Sequence, residues 1–256
     1  MAIVISGNGI DMGNNPISNA SQVEIQEEQV SPFGGFKNYI INGKKVVNQR
    51  GLTSTDNSYN QDRWYKSGNN WFQGIEGDNN LISGKTYTLS WVGSATASYY
   101  LGTATSLTIN SQIFTPIENG GSFTLTISAG QNLWIKFESD STGSTFNFVQ
   151  LEEGSVATPF ENRPIGLELS LCQRYYEKGY VSFTAYAVTG AGYGQVHKLN
   201  TVKRISPTTT NILNASTNTT AAYVIPLNTE SLVNNGYATA SGMAYWSGYF
   251  TADAEL

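Results

Sequence analysis

His197 is the only histidine and Cys172 the only cysteine in the chain, which narrows the available chemistry at once. A Ser-His-Asp arrangement or a histidine-held metal would depend on His197 alone, whereas metal sites ordinarily recruit several His or Cys ligands. His197 therefore reads as structural. Cys172 sits in the apolar run "LELSLCQRYY" and reads as a small buried hydrophobe. Carboxylate pairs are the remaining catalytic resource, because glycoside hydrolysis needs two carboxyls about 5–9 Å apart across a bound sugar. Glu152 and Glu153 are adjacent, so on a strand they face opposite ways. They suit the turn into Gly154 or a cation contact. Asp62, Asp78, Glu118, Glu138 and Asp140 are scattered and read as solvated loop acids. The expectation is a protein that is not an enzyme and uses no cofactor or metal.

Binding has better material. A sugar site needs an aromatic platform for the apolar face of the ring and amide or carboxylate partners for its hydroxyls. "DRWYKSGNNWFQG" sets Trp64 and Trp71 among Asp62, Asn69 and Asn70. "AYAVTGAGYGQVH" and "MAYWSGYF" bring Tyr186, Tyr193, His197, Tyr245 and Trp246 beside glycine-rich loops. These seven residues are the expected carbohydrate contacts. Trp64, Trp91 and Trp134 also lie on strand-like runs, where core packing is the commoner fate. Tyr193, flanked by Gly192 and Gly194, is expected at an exposed recognition tip.

The opening "AIVISGNGIDMGNNPISNAS" places Gly7, Gly9 and Gly13 after a short apolar strand. A dinucleotide fingerprint needs G-x-G-x-x-G opening a helix, whose N-terminus supplies the field for the pyrophosphate. Here the third glycine comes one residue late and Asn14-Asn15-Pro16 starts a turn. No crossover unit follows, so a phosphate loop is excluded.

The elements that must carry these residues are strands. Charged residues make up 13% of 256, and the fifteen tyrosines accompany abundant Gly, Ser, Thr and Asn. That mixture is poor for helices and suits short strands joined by tight turns. A net charge of −5 disfavours nucleic acid and anionic membrane as partners. One cysteine excludes an internal disulfide. No segment approaches the ~20 apolar residues of a membrane span, and Met1–Ile10 lacks the regions of a signal peptide. The expectation is a soluble chain made in the cytosol, without membrane insertion.

Four regions follow from the pattern. Residues 1–35 carry few apolar positions and three acids around Val23 and Ile25, too little to offset their own ordering entropy. Residues 36–160 alternate Tyr87, Leu89, Trp91, then Phe123, Leu125, Ile127, then Leu133, Ile135, Phe137, as half-buried strands of a two-sheet sandwich do. Residues 161–178 break that rhythm. After Pro164, Leu167, Leu171 and Tyr175 fall at i, i+4 and i+8, predicting a short helix that packs against a domain or copies of itself, with Glu168 and Arg174 outward. Residues 179–256 return to strands. No fixed-period repeat appears.

Three blocks, "NYIINGKKVVNQRG", "YNQDRWYKSG" and "VQLEEGSVATPFENRPIGLELSLCQRYYEKG", resemble bacteriophage tail-fibre and receptor-binding proteins. The opening "GNGIDMGNNPISNAS" is similar to the virion-docking segments of short tail fibres, and "WSGYFTADAEL" to their usual C-terminal end. The resemblance covers nearly the whole chain. It implies an all-β, homotrimeric fibre in four parts: a docking segment over 1–35, a jelly-roll carbohydrate-binding-like domain over 36–160, a helical joint over 161–178, and a small β-sandwich head over 179–256. Gly7, Gly9, Ile10 and Gly13 would dock on a phage tail or adaptor protein. Leu167, Leu171 and Tyr175 would line the trimer interface. The implied function is non-covalent binding of a bacterial surface polysaccharide by a component of the virion. The alternatives are a glycan-modifying tailspike enzyme (hydrolase or deacetylase) and a structural decoration fibre.

Overall fold

The alternating apolar runs become strands, and their inward faces make two cores. The computed structural model describes residues 4–6, 9–11, 35–53, 55–139 and 145–256. Contacts divide the chain into a unit over Met1–Val30 and one over Ser31–Leu256. In the first unit, β1 (Val4–Ser6) pairs antiparallel with β2 (Gly9–Asp11). Gly9 and Ile10 belong to β2, opposite Ser6 and Ile5. Gly7 and Gly13, like the acids around Val23 and Ile25, lie outside the described residues.

The second unit is all-β apart from short helices. Its first part contains β3 (Ser58–Tyr59), β4 (Tyr65–Ser67), β5 (Asn70–Glu76) and the single turn α1 (Gly77–Asn80). There follow β6 (Thr86–Val92), β7 (Thr96–Gly102), β8 (Thr115–Ile117) and β9 (Ser122–Thr124). β10 (Asn132–Glu138) and β11 (Asn147–Glu153) complete it. They form a six-stranded sheet in the order β3-β4-β5-β10-β7-β8 and a three-stranded sheet β11-β6-β9.

Tyr87, Leu89, Leu133, Ile135 and Phe137 are fully buried in the core between these sheets, as their alternation predicts. Rings knit it together: Phe137 stacks on Phe146 at 4.3 Å, and Trp64 meets Phe146 edge-on at 5.2 Å. The period of two fails at Trp134, which faces the other side of β10 yet is also fully buried. A satellite cluster of Tyr59, Tyr65, Phe72, Ala104 and Ile109 covers it, with Leu256 packed alongside. It fails again in β11, where a bulge between Asn147 and Gln150 and a left-handed Phe148 (φ 51°) turn that ring outward.

α2 (Ile165–Gln173) begins directly after Pro164, as predicted. Its buried face is a correction. The residues that point inward are Glu168, Cys172 and, just past the helix end, Tyr175. Tyr175 is 1% exposed, packed with Ile41, Val47 and Cys172 of its own chain. It therefore cannot line an interface between copies, and Leu171 is half-buried against the same cluster while Leu167 is half-buried. Glu168 does not face outward. It bonds Arg163 at 3.2 Å and accepts from the Asn42 backbone N–H. Arg174 donates to Glu76 at 3.1 Å.

The last strands are β12 (Tyr176–Ala187), β13 (Gly192–Lys198) and β14 (Thr208–Thr217). After them come β15 (Thr219–Pro226), β16 (Ser231–Ala238) and β17 (Gly242–Asp253). Two three-stranded sheets, β12-β17-β14 and β13-β16-β15, enclose Val181, Val224, Leu232, Trp246 and Phe250.

Charged groups bridge the two sheet pairs. Arg63 is 1% exposed; it pairs with Glu255, donates to the Gly74 carbonyl, and lies 3.5 Å over the Tyr175 ring. Burial works to lower its pKa, but Glu255 and Tyr175 outweigh that and hold it above its ordinary value. Arg50 donates to Asp253 at 2.8 Å and covers the Tyr176 ring at 3.6 Å. Burial pushes the Tyr175 phenol up to about 12, keeping it a donor to Glu76 at 2.6 Å. Lys203 and Glu177 meet at 2.6 Å with both side chains fully buried.

Candidate functional site

The outer face of β13-β16-β15 holds a cleft of about 190 Å³ between glycine, tyrosine and asparagine residues. The register builds it. Gly192 stands opposite Tyr237 and Gly194 opposite Asn235, while Tyr223 of β15 pairs with Asn235 from the other side. Side chains on one face of a strand recur every second residue, so Gly192 and Gly194 empty one lane of the surface. Tyr237 and Asn235 lie against that lane: a methyl at Gly192 would sit 3.2 Å from Tyr237 Cε1, and one at Gly194 would sit 1.9 Å from Asn235 Oδ1.

Two aromatic rings flank the cleft. Tyr223 and Tyr237 have centroids 6.5 Å apart and planes inclined at 37°. Tyr237 is 41% exposed, a large ring that the fold leaves open to solvent. A side-chain hydrogen bond with Tyr223 raises its pKa above the ordinary phenol value. Among the described residues, the cleft lining contains no carboxylate, lysine, arginine or histidine. What it offers is apolar ring surface, phenol hydroxyls and one amide.

Tyr193 contributes from beneath rather than from a tip, which corrects the sequence expectation. Its ring stacks on Phe183 at 5.6 Å and 20°, and its hydroxyl bonds Thr219. Gly236 makes this possible, since a Cβ there would lie 3.1 Å from the Tyr193 hydroxyl and 3.2 Å from Trp246 Cδ1. The two flanking glycines that suggested a loop are strand residues.

The other expected contacts are dispersed. Trp64 and Trp246 are fully buried, so neither can meet a sugar; Trp64 donates its indole N–H to the Asn42 carbonyl at 3.0 Å. Trp71 is half-buried against Phe146 in the first core. Tyr186 is 76% exposed at the far end of β12, opposite Met243. Tyr245 is half-buried between Thr184 and Thr217. His197 is half-buried and edge-on to Phe250 at 5.2 Å. Asn235 and Tyr237 were missed because "NNGY" has the form of a turn. The signal was present as "GYG" and "NGY", which become complementary only once β13 and β16 align.

The scattered acids hold structure. Asp62 is fully buried and accepts from the Gln49 backbone and side chain. Glu152 accepts from Thr158 N and Oγ1 at 2.8 and 2.6 Å, and Glu153 pairs with Lys85 at 2.8 Å. Glu138 pairs with Lys136. Asp140 lies outside the described residues, as does the Asp78 side chain. Glu118 borders a separate cleft of about 410 Å³ in the first sheet pair, beside Trp91, whose indole N–H donates to Ala95 O at 3.1 Å. Among the described residues no three His, Cys, Asp or Glu side chains are grouped to hold a metal, and no helix is long and apolar enough to cross a membrane.

No protein-family profile and no curated protein matches the sequence. Among solved structures, the recombinant discoidin II of Dictyostelium discoideum is similar at a TM-score of 0.23 and 10% identity, over 86% of this chain and 94% of that one. A likeness of that size carries no argument about fold or function.

Proposed function

We propose that this chain binds a carbohydrate non-covalently at the Tyr223–Tyr237 cleft. The observation that carries the reading is the pairing of the exposed Tyr237 ring and the half-buried Tyr223 ring with the Asn235 amide beside a lane cleared by Gly192 and Gly194. A sugar ring stacks its C–H face on a phenol and offers hydroxyls to an amide. Each hydroxyl exchanges a water bond for a protein bond at a net gain of only about 1 kcal/mol, so one site is weak. Several copies in one assembly would multiply it by ~10²–10⁴.

The sequence blocks resembling tail-fibre proteins extend the reading to a bacterial surface polysaccharide. On it, the chain is a homotrimeric virion fibre whose residues 1–35 attach to a tail or adaptor protein. The lining of rings and amide suits recognition without cleavage. The test is binding of the purified protein to surface polysaccharides by microarray, with Tyr237→Ala and Asn235→Ala as variants. Both are expected to lose binding with little change in Tm, and light scattering is expected to give three times one chain's mass. Unchanged binding by both variants overturns the cleft; shortened or deacetylated glycan overturns the pure-binder reading.

A further inference from the structure

A second cleft, of about 220 Å³, opens between Tyr180–Ser182 of β12 and Gln195–His197 of β13, with Asn234 of β16 also lining it. β12 and β13 are both edge strands of their sheets, so each keeps one row of backbone N–H and C=O groups outside its ladder. Ser182, Gln195, His197 and Asn234 bring hydroxyl, amide and imidazole groups to the seam. Among the described residues, no carboxylate, lysine or arginine lines it.

Asn234 supplies an independent pointer. It is 2% exposed, and its Oδ1 has no hydrogen-bond partner. Buried amide oxygens are ordinarily bonded, so this one calls for a donor that the described residues do not provide. A hydroxyl fits, being small, neutral and a donor. The neighbouring serine, glutamine and histidine both donate and accept, matching the mixed character of a polyol.

The two clefts share β13. Gly192 and Gly194 face outward and line the first. Gln195 and His197, opposite the buried Asn234 and Leu232, face the seam between the sheets and line the second, so the two clefts meet across the free edge of β13. From Tyr193 to His197 the strand advances about 13 Å, farther than one sugar ring reaches. We propose that the seam is a second saccharide subsite, so that the protein takes a neutral oligosaccharide laid over the free edge of β13 rather than one terminal sugar. This rests on the carbohydrate reading of the first cleft.

Defined oligosaccharides of one to six units, drawn from one polymer that the protein binds on a glycan array, test this by calorimetry. Affinity is expected to rise about tenfold between one and three units, the worth of roughly one added net hydrogen bond. Ser182→Val and Gln195→Ala, both at exposed positions, are expected to remove that gain while keeping single-unit affinity. The Asn234 side-chain amide resonance is expected to move with the trimer and stay still with the monomer. Equal affinities for one and three units, with Tyr237→Ala still abolishing binding, overturn the second subsite and leave the first standing. So does an Asn234 amide that no oligomer moves. If no array member binds the parent protein, the carbohydrate reading fails and the subsite with it.

Discussion

Gly194 and Asn235 face each other across the β13–β16 ladder, and a methyl on Gly194 would lie 1.9 Å from the Asn235 side-chain oxygen and 2.8 Å from the Asn234 carbonyl. The cleft exists because one strand gives up its side chain where the other lays an amide. Gly194→Ala is expected to push the Asn235 amide off its place and weaken glycan binding about tenfold, with a stability loss of about 1 kcal/mol. Calorimetry beside a urea melt checks both. Parent-like affinity in Gly194→Ala would remove Asn235 from the site.

Tyr193 is expected to behave as a packing residue. Its stacking on Phe183 and its bond to Thr219 predict that Tyr193→Ala lowers stability by about 2–4 kcal/mol. Tyr193→Phe keeps the ring and is expected to lose about 1 kcal/mol, the usual worth of one hydrogen bond. Equilibrium urea unfolding reads both, and a Tyr193→Ala protein as stable as the parent would contradict the stacking.

Glu255→Gln leaves the Arg63 guanidinium buried without its carboxylate. Removing one partner of a buried pair typically costs about 3–5 kcal/mol. The loss is expected to open the junction between the two sheet pairs first, seen as faster amide exchange in residues 50–63 and 174–177. Uniform exchange across the chain would place the pair outside the junction's stability.

Burial lowers the Lys45 amine from its ordinary 10.5 to about 8, and its Nζ lies 3.6 Å from the centroid of the Phe146 ring. The folded chain therefore releases this proton before the unfolded chain does. Between about pH 8 and 10.5 the unfolded state binds more protons, so Lys45 makes stability rise with pH there. Below about 8 both states are protonated and its effect is constant. Lys45→Met is expected to flatten that rise, and reductive methylation at pH 8 is expected to reach Lys45 ahead of the other lysines. An unchanged slope from pH 8 to 10.5 would contradict the assignment.

Local pattern settled a good part of this protein. Alternation alone placed Tyr87, Leu89, Leu133, Ile135 and Phe137 in one core, because a strand sends successive side chains to opposite faces whatever it packs against. Pro164 marked the start of α2 for an equally local reason, its missing N–H. Burial on a second face was not local. Trp134 is covered by Ile109 and Ala104, with Leu256 alongside, and Tyr175 turns inward because Arg63, from the turn before β4, and Glu76, at the end of β5, reach it from far along the chain. The cleft was the least legible of all. Gly194 and Asn235 are far apart in sequence and carry no shared motif; register set by the buried Leu232 and Gly236 side of β16 brings them together. A one-residue slip would send Asn235 and Tyr237 into the core and Asn234 out to solvent. The residue types were written in the chain, but their meeting required the pairing of two strands.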